Sequence, residues 1–204
     1  MTYLTAMIAG LLLGFVNLVL LAFVQKLEKL VLFKEGKPYR QKIFWAVPLG
    51  LGMIGLWYMW LIGGWGYSFT MQMLLCGYLF SLSIVDLKYK MLPDLFHIVY
   101  GVAFFVFKFF FGTWGDLGSG VLGAVCVFVF LGAVHLVKKD QFGLGDLKAL
   151  CVCAFLTGMP GIVYLFFRGL VVAAVYSVVQ LLRHKAELKT EYPLAPFLLI
   201  GALI

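Results

Sequence analysis

Charge is scarce in this chain. Only 12% of its 204 residues are Asp, Glu, Lys or Arg, against about a quarter in an ordinary soluble domain. Carboxylates number only 9. Hydrophobic residues make up 64% of the chain, and the mean hydropathy is +1.04. A soluble fold of this size has too little polar surface to cover such a core, so lipid must serve as solvent for much of it. The apolar residues come in whole blocks and do not alternate, which argues against a membrane β-barrel. Cysteine is also sparse. Cys76, Cys126, Cys151 and Cys153 all lie in apolar segments, and no C-x-x-C pair exists. A zinc site or redox motif is therefore unsupported, and the thiols read as small buried hydrophobes. His97, His135 and His184 are scattered and form no nucleophile–base set. No metal or other cofactor is expected.

What is present is a series of apolar segments, at roughly 4–24, 45–63, 69–87, 94–111, 119–137, 147–160, 162–182 and 193–204. A span needs about 20 apolar residues. The sixth and eighth are short, and the sixth ends on the turn signal Thr157-Gly158-Met159-Pro160-Gly161. The fold class expected is an all-α polytopic membrane protein with about 7–8 transmembrane helices, forming one integral domain over 1–204. The first segment exceeds a signal-peptide core and lacks a basic start, so it reads as a retained span.

The net charge of +7 has a topological reading. Lys26, Lys29, Lys34, Lys37, Arg40 and Lys42 share the loop 25–44. Lys88, Lys90, Lys138, Lys139, Lys148, Arg183, Lys185 and Lys189 fall on every second connection after it. Connections near 64–68, 112–118 and 157–161 carry no basic residue. Such asymmetry places the basic loops in the cytoplasm and the N-terminus outside. The basic excess then needs no nucleic-acid partner.

Four aspartates, Asp86, Asp94, Asp140 and Asp146, fall at the cytoplasmic face on this topology. Ionisable groups at membrane depth are functional candidates by default. Asp146 precedes a helical run and can be read as an N-cap. Asp94 follows Pro93 at the start of a span and can serve that helix start. Asp140 sits beside two lysines and reads as solvated. Asp86 is different. It ends a span, where a carboxylate faces the negative end of the helix dipole, so capping does not explain it. Two carboxylates brought together share protons unequally and can activate a water against a peptide. On dipole grounds Asp146 is expected to be the base and Asp86 the proton holder.

The stretch Asp86-Leu87-Lys88-Tyr89-Lys90-Met91-Leu92-Pro93-Asp94 reads D-x6-P-D, and Gly143-Leu144-Gly145-Asp146-Leu147-Lys148 reads G-x-G-D-x-K. In this order and spacing they resemble the type IV prepilin peptidase family of G-x-G-D aspartyl proteases. Two further stretches agree: Gly10 to Asn17 resembles the family's Gly-rich first span, and Tyr192 to Ala202 its C-terminal Pro-x-x-Pro-Phe helix start. The resemblance implies a multi-pass protein of the inner (cytoplasmic) membrane that cleaves the basic leader of prepilin-like or pseudopilin-like substrates at the cytoplasmic face. Asp86 and Asp146 would be the catalytic pair. Gly143 and Gly145 would permit close backbone approach, Pro93-Asp94 would set a helix start, and Lys148 completes the motif. Long members carry a cysteine tetrad after the first span and also methylate the new N-terminus. Residues 25–44 hold no cysteine, so the resemblance is to a compact, peptidase-only form without zinc. Local acids, Asp94, Asp140, Glu187 or Glu191, are candidates to receive the basic leader. Two alternatives stay open at this point. One is a preflagellin or presenilin-like G-x-G-D protease. The other is a non-catalytic transporter or assembly subunit.

Overall fold

The computed structural model describes residues 67–89, 92, 94–137, 143–183 and 192–204, with single helical positions at 15, 19 and 54. Apart from those positions, the expected spans 4–24 and 45–63 lie outside the described residues, as do loop 25–44, Pro93, Asp140, Glu187 and Glu191. Among the described residues there are five helices: α1 (Tyr67–Tyr89), α2 (Asp94–Phe111), α3 (Trp114–Val137), α4 (Leu144–Leu182) and α5 (Ala195–Leu203). Three of them, α1, α3 and α4, are long and apolar enough to cross a membrane by length and composition. Buried backbone polar groups in lipid must bond internally, which helices do and open strands do not. The chain is thus a helical membrane protein.

The expected segment at 94–111 matches α2, and 69–87 lies within α1. The expected spans 147–160 and 162–182 fall together in α4, which is interrupted at Gly158 (φ 76°, ψ 175°). That backbone geometry is essentially confined to glycine. The chain reverses there, as side-chain contacts show. Tyr176 packs its ring on Tyr192 and Phe197, with centroids 5.3 and 5.4 Å away. Ala195, two residues before Phe197, bonds Asp86, which in turn interacts electrostatically with Asp146. A straight helix would set Asp146 and Tyr176 about 45 Å apart. Their shared level requires the second half of α4 to run back beside the first. Ser119 on α3 holds the bend by accepting the Met159 N–H at 3.3 Å.

The core lies where α1 meets α2, α4 and α5. Tyr78 is fully buried among Phe96, Tyr100 and Phe104. The outer faces of α2, α3 and α4 keep large apolar side chains exposed, as lipid contact requires. The returning half of α4 packs against α5 at Gly169 and Gly201. A Cβ on Gly201 would lie 2.7 Å from the Gly169 nitrogen, so only small residues admit this approach.

Candidate active site

Asp86 stands one turn before the C-terminus of α1 and is buried, 6% exposed. Its Oδ2 accepts a hydrogen bond from the main-chain N–H of Ala195 at 3.3 Å. Ala195 is the first residue of α5, where the N–H groups of a helix lack internal partners. Asp146 comes from the first turn of α4. The two carboxylates lie close enough to interact electrostatically. Residues sixty positions apart in sequence thus form one acidic site at one end of the bundle.

Asp146 is not the N-cap that its position suggested. Helix α4 begins at Leu144, and Gly143 is the cap, with no side-chain capping bond. Asp146 is the third helical residue, and its carboxylate folds back toward Gly143: a Cβ there would lie 3.4 Å from Oδ2. Asp116 shows what a capping aspartate looks like in this protein. It also occupies the third position of its helix, α3, but its Oδ2 accepts from the Thr113 N–H (3.1 Å) and hydroxyl (2.7 Å). The Thr113 hydroxyl oxygen accepts the Asp116 N–H in return at 3.2 Å. This reciprocal arrangement is a capping box. Asp146 has no such bonds.

The dipole-based division of roles meets an opposing contribution, because Asp146 remains in the first turn of its helix but has no capping bond. It is Asp86, at a helix C-terminus, that receives a backbone donor. A coupled pair titrates as a unit, and the two are treated as one below.

The supporting motif residues converge on the same end. Lys148 Nζ bonds Asp94 Oδ1 at 2.6 Å, tying the first turn of α4 to that of α2. Both side chains are substantially exposed, at 43% and 67%, so this bridge contributes at most about 1 kcal/mol. Gly145 faces Leu92, which lies between Asp86 and Asp94 in the other motif. A Cβ on Gly145 would sit 3.0 Å from that of Leu92. The second glycine of G-x-G-D therefore seats α4 against the D-x6-P-D segment. Gly143 makes no such approach to another helix; its nearest neighbour is the Asp146 carboxylate.

Sequence reasoning missed the Ala195 N–H, although it singled out the stretch around it. The Pro193-x-x-Pro196 pattern marks a helix start, and free N–H groups at a helix start are the usable signal. His97, read as structural, is buried one turn after Asp94 and shares a 2.7 Å hydrogen bond with Tyr78. Among the described residues no cluster of three or more His, Cys, Asp or Glu side chains is arranged to hold a metal.

Comparison with known proteins covers this same region. The prepilin leader peptidase/N-methyltransferase of Bacillus subtilis (strain 168) is 21% identical over 126 residues, 62% of this chain and 50% of that protein. Those of Stutzerimonas stutzeri and Pseudomonas putida are 27% and 26% identical, over 69% and 71% of this chain and 51% and 53% of theirs. The chain spans about half the length of the curated relatives it matches. No solved structure gives a significant match. The type IV leader peptidase family matches residues 73–178, which contain both aspartates and are just over half of the chain, and to that family the chain belongs.

Proposed function

We propose that this protein is an aspartyl endopeptidase of the inner (cytoplasmic) membrane. It would remove the basic leader from type IV prepilin-like or pseudopilin-like precursors at the cytoplasmic face. The observation that carries the reading is the pairing of Asp86 and Asp146, two electrostatically coupled carboxylates from separate helices. Family membership supports leader peptidase chemistry, and the concentration of basic residues on alternate loops supports the cytoplasmic placement.

The chemistry follows from the pair. One aspartate, ionised, takes a proton from a water held between the two. The water oxygen bonds the scissile carbonyl carbon while the second aspartate gives its proton to the carbonyl oxygen. The resulting tetrahedral diol then collapses. Its C–N bond breaks, and the leaving nitrogen takes up a proton from the first aspartate. The second is reprotonated by a diol hydroxyl. No covalent intermediate is needed. The Ala195 N–H on Asp86 Oδ2 holds that side chain in one orientation through the cycle. Methyl transfer forms no part of this proposal, since loop 25–44 carries no cysteine. Lys148 is the nearest partner of Asp94, so Asp94 contributes to leader binding only if that bridge opens.

The test uses purified protein and a prepilin with a basic leader, scored by the mass of the product. Wild type yields the shortened chain, and Asp86→Asn and Asp146→Asn each lose at least about 10²-fold in rate. Cleavage that survives in either variant rejects the paired mechanism. Absence of cleavage by the wild type favours the non-catalytic reading, and cuts inside the apolar helix favour a presenilin-like one.

A further inference from the structure

Two basic residues break the pattern of basic alternate loops: Lys108 in α2 and Arg168 in the returning half of α4. They stand 60 residues apart in sequence and line one cavity of about 420 Å³ at the end of the bundle opposite the aspartates. We infer that this cavity binds a phosphate oxyanion between Lys108 and Arg168.

The positive charge of this cavity is only partly compensated. Lys108 is 3% exposed. Its ammonium donates to the main-chain carbonyl of Asp116 at 3.1 Å and lies 5.4 Å from the Phe155 ring centre. Among the described residues the one carboxylate lining the cavity is that of Asp116; its Oδ2 accepts from Thr113, and its single negative charge acts on Lys108, leaving Arg168 without one. Arg168 makes no ion pair among the described residues, and a guanidinium cannot neutralise itself by losing a proton. Of the other described carboxylates, none lines the cavity. Asp86, Asp94 and Asp146 belong to the opposite end, and Glu28, Glu35, Asp140, Glu187 and Glu191 fall in sequence on the basic loops. Two cations against one engaged carboxylate leave the cavity net positive. In a membrane such a charge is costly without a counter-ion.

Depth and chemistry narrow the ligand. Lys108 is one turn from the end of α2, beside the α3 start and the Gly158 reversal, which is the level of a membrane interface. Arg168 follows Gly158 by ten residues, about 15 Å along the helix. Its exposed side chain is long enough to reach back toward that level. Ser68 and Ser119 add hydroxyl donors to the wall, while the Thr157 hydroxyl donates to the Cys153 carbonyl at 2.9 Å. An arginine fork with a lysine and hydroxyls suits a phosphate. The phosphate can belong to an anionic lipid head group or be dissolved. On the topology read from the basic loops, this is the non-cytoplasmic side.

The test is made on the full chain in a phosphate-free glycoside detergent. Phosphatidylglycerol or inorganic phosphate is titrated in, reading the thermal midpoint and the retained adduct by native mass spectrometry. A rise with phosphatidylglycerol alone identifies a lipid as the source, and a rise with inorganic phosphate identifies the dissolved ion. Either supports the site if Arg168→Gln weakens the response roughly tenfold, the loss of one charge-assisted hydrogen bond, while Arg168→Lys keeps part of it. Arg168 is exposed, so these variants leave the packing intact. If neither titrant stabilises the wild type, or if Arg168→Gln responds as the wild type does, the proposal is overturned. Leader cleavage is not the readout, so this result stands apart from the peptidase assignment.

Discussion

The main-chain N–H of Ala195 donates to Oδ2 of Asp86 at 3.3 Å, across 109 residues of sequence. The bond joins the start of α5 to the carboxylate at the end of α1. A carboxylate at a helix C-terminus would otherwise face only the negative end of its own dipole. Ala195→Pro removes this donor at the first helical position and also disfavours the αR conformation of Leu194 before it, whereas Ala195→Gly keeps it. Leader cleavage is expected to fall about tenfold in Ala195→Pro, the scale of one hydrogen bond to a charged group, and to remain near wild type in Ala195→Gly. Single-turnover rates at saturating substrate make the comparison.

Gly145 presses against Leu92, where a Cβ would sit 3.0 Å from the Leu92 Cβ and fit only if Leu92 gave way. Gly145→Ala is expected to destabilise by about 1–3 kcal/mol, as overpacking does, and to lower cleavage by shifting Asp146. Leu92→Gly in the same chain removes that Cβ and restores part of the loss. Thermal unfolding in detergent and cleavage rates should recover together.

Gly158 adopts a backbone conformation at φ 76° that a side chain strains. A Cβ there would also meet the Ser119 hydroxyl at 2.7 Å. Gly158→Ala should cost roughly 1–3 kcal/mol, visible as a lower thermal midpoint. Ser119→Ala on that background relieves the clash but leaves the strain and removes the acceptor of the Met159 N–H, so recovery is small.

Asp116→Asn separates capping from catalysis. It weakens a capping box worth about 1 kcal/mol at the end of the bundle away from Asp86 and Asp146. Stability should fall modestly while leader cleavage is retained. A loss of cleavage comparable to that of Asp146→Asn would contradict the assignment of the active site.

The Lys148–Asp94 bridge is exposed on both sides. A double-mutant cycle with Lys148→Met and Asp94→Asn should show a coupling of about 0.2–1 kcal/mol that shrinks with added salt. This weak, screened link aligns α2 and α4.

Hydropathy and charge alone were sufficient for the membrane class, for α2 at 94–111 and for the turn at Gly158, because each rests on local composition. The two motifs were legible for the same reason. The capping reading of Asp146 failed because helix α4 starts three residues earlier than polarity suggests, at Leu144 after an exposed glycine. The expected roles of the two aspartates rested on a local dipole argument, to which the structure adds a donor on Asp86 from a distant helix.

The sequence by itself determined that the chain is helical, lipid-solvated and furnished with two aspartate motifs. Apolar run length and charge spacing carry that information along the chain. Tertiary structure decided which groups meet. Helix rotation and close glycine contacts brought Ala195 to Asp86 and Leu92 to Gly145, and gathered Lys108 and Arg168 into one cavity. Such pairings depend on how helices pack across the bundle, and hydropathy does not encode the angle at which a helix face is turned.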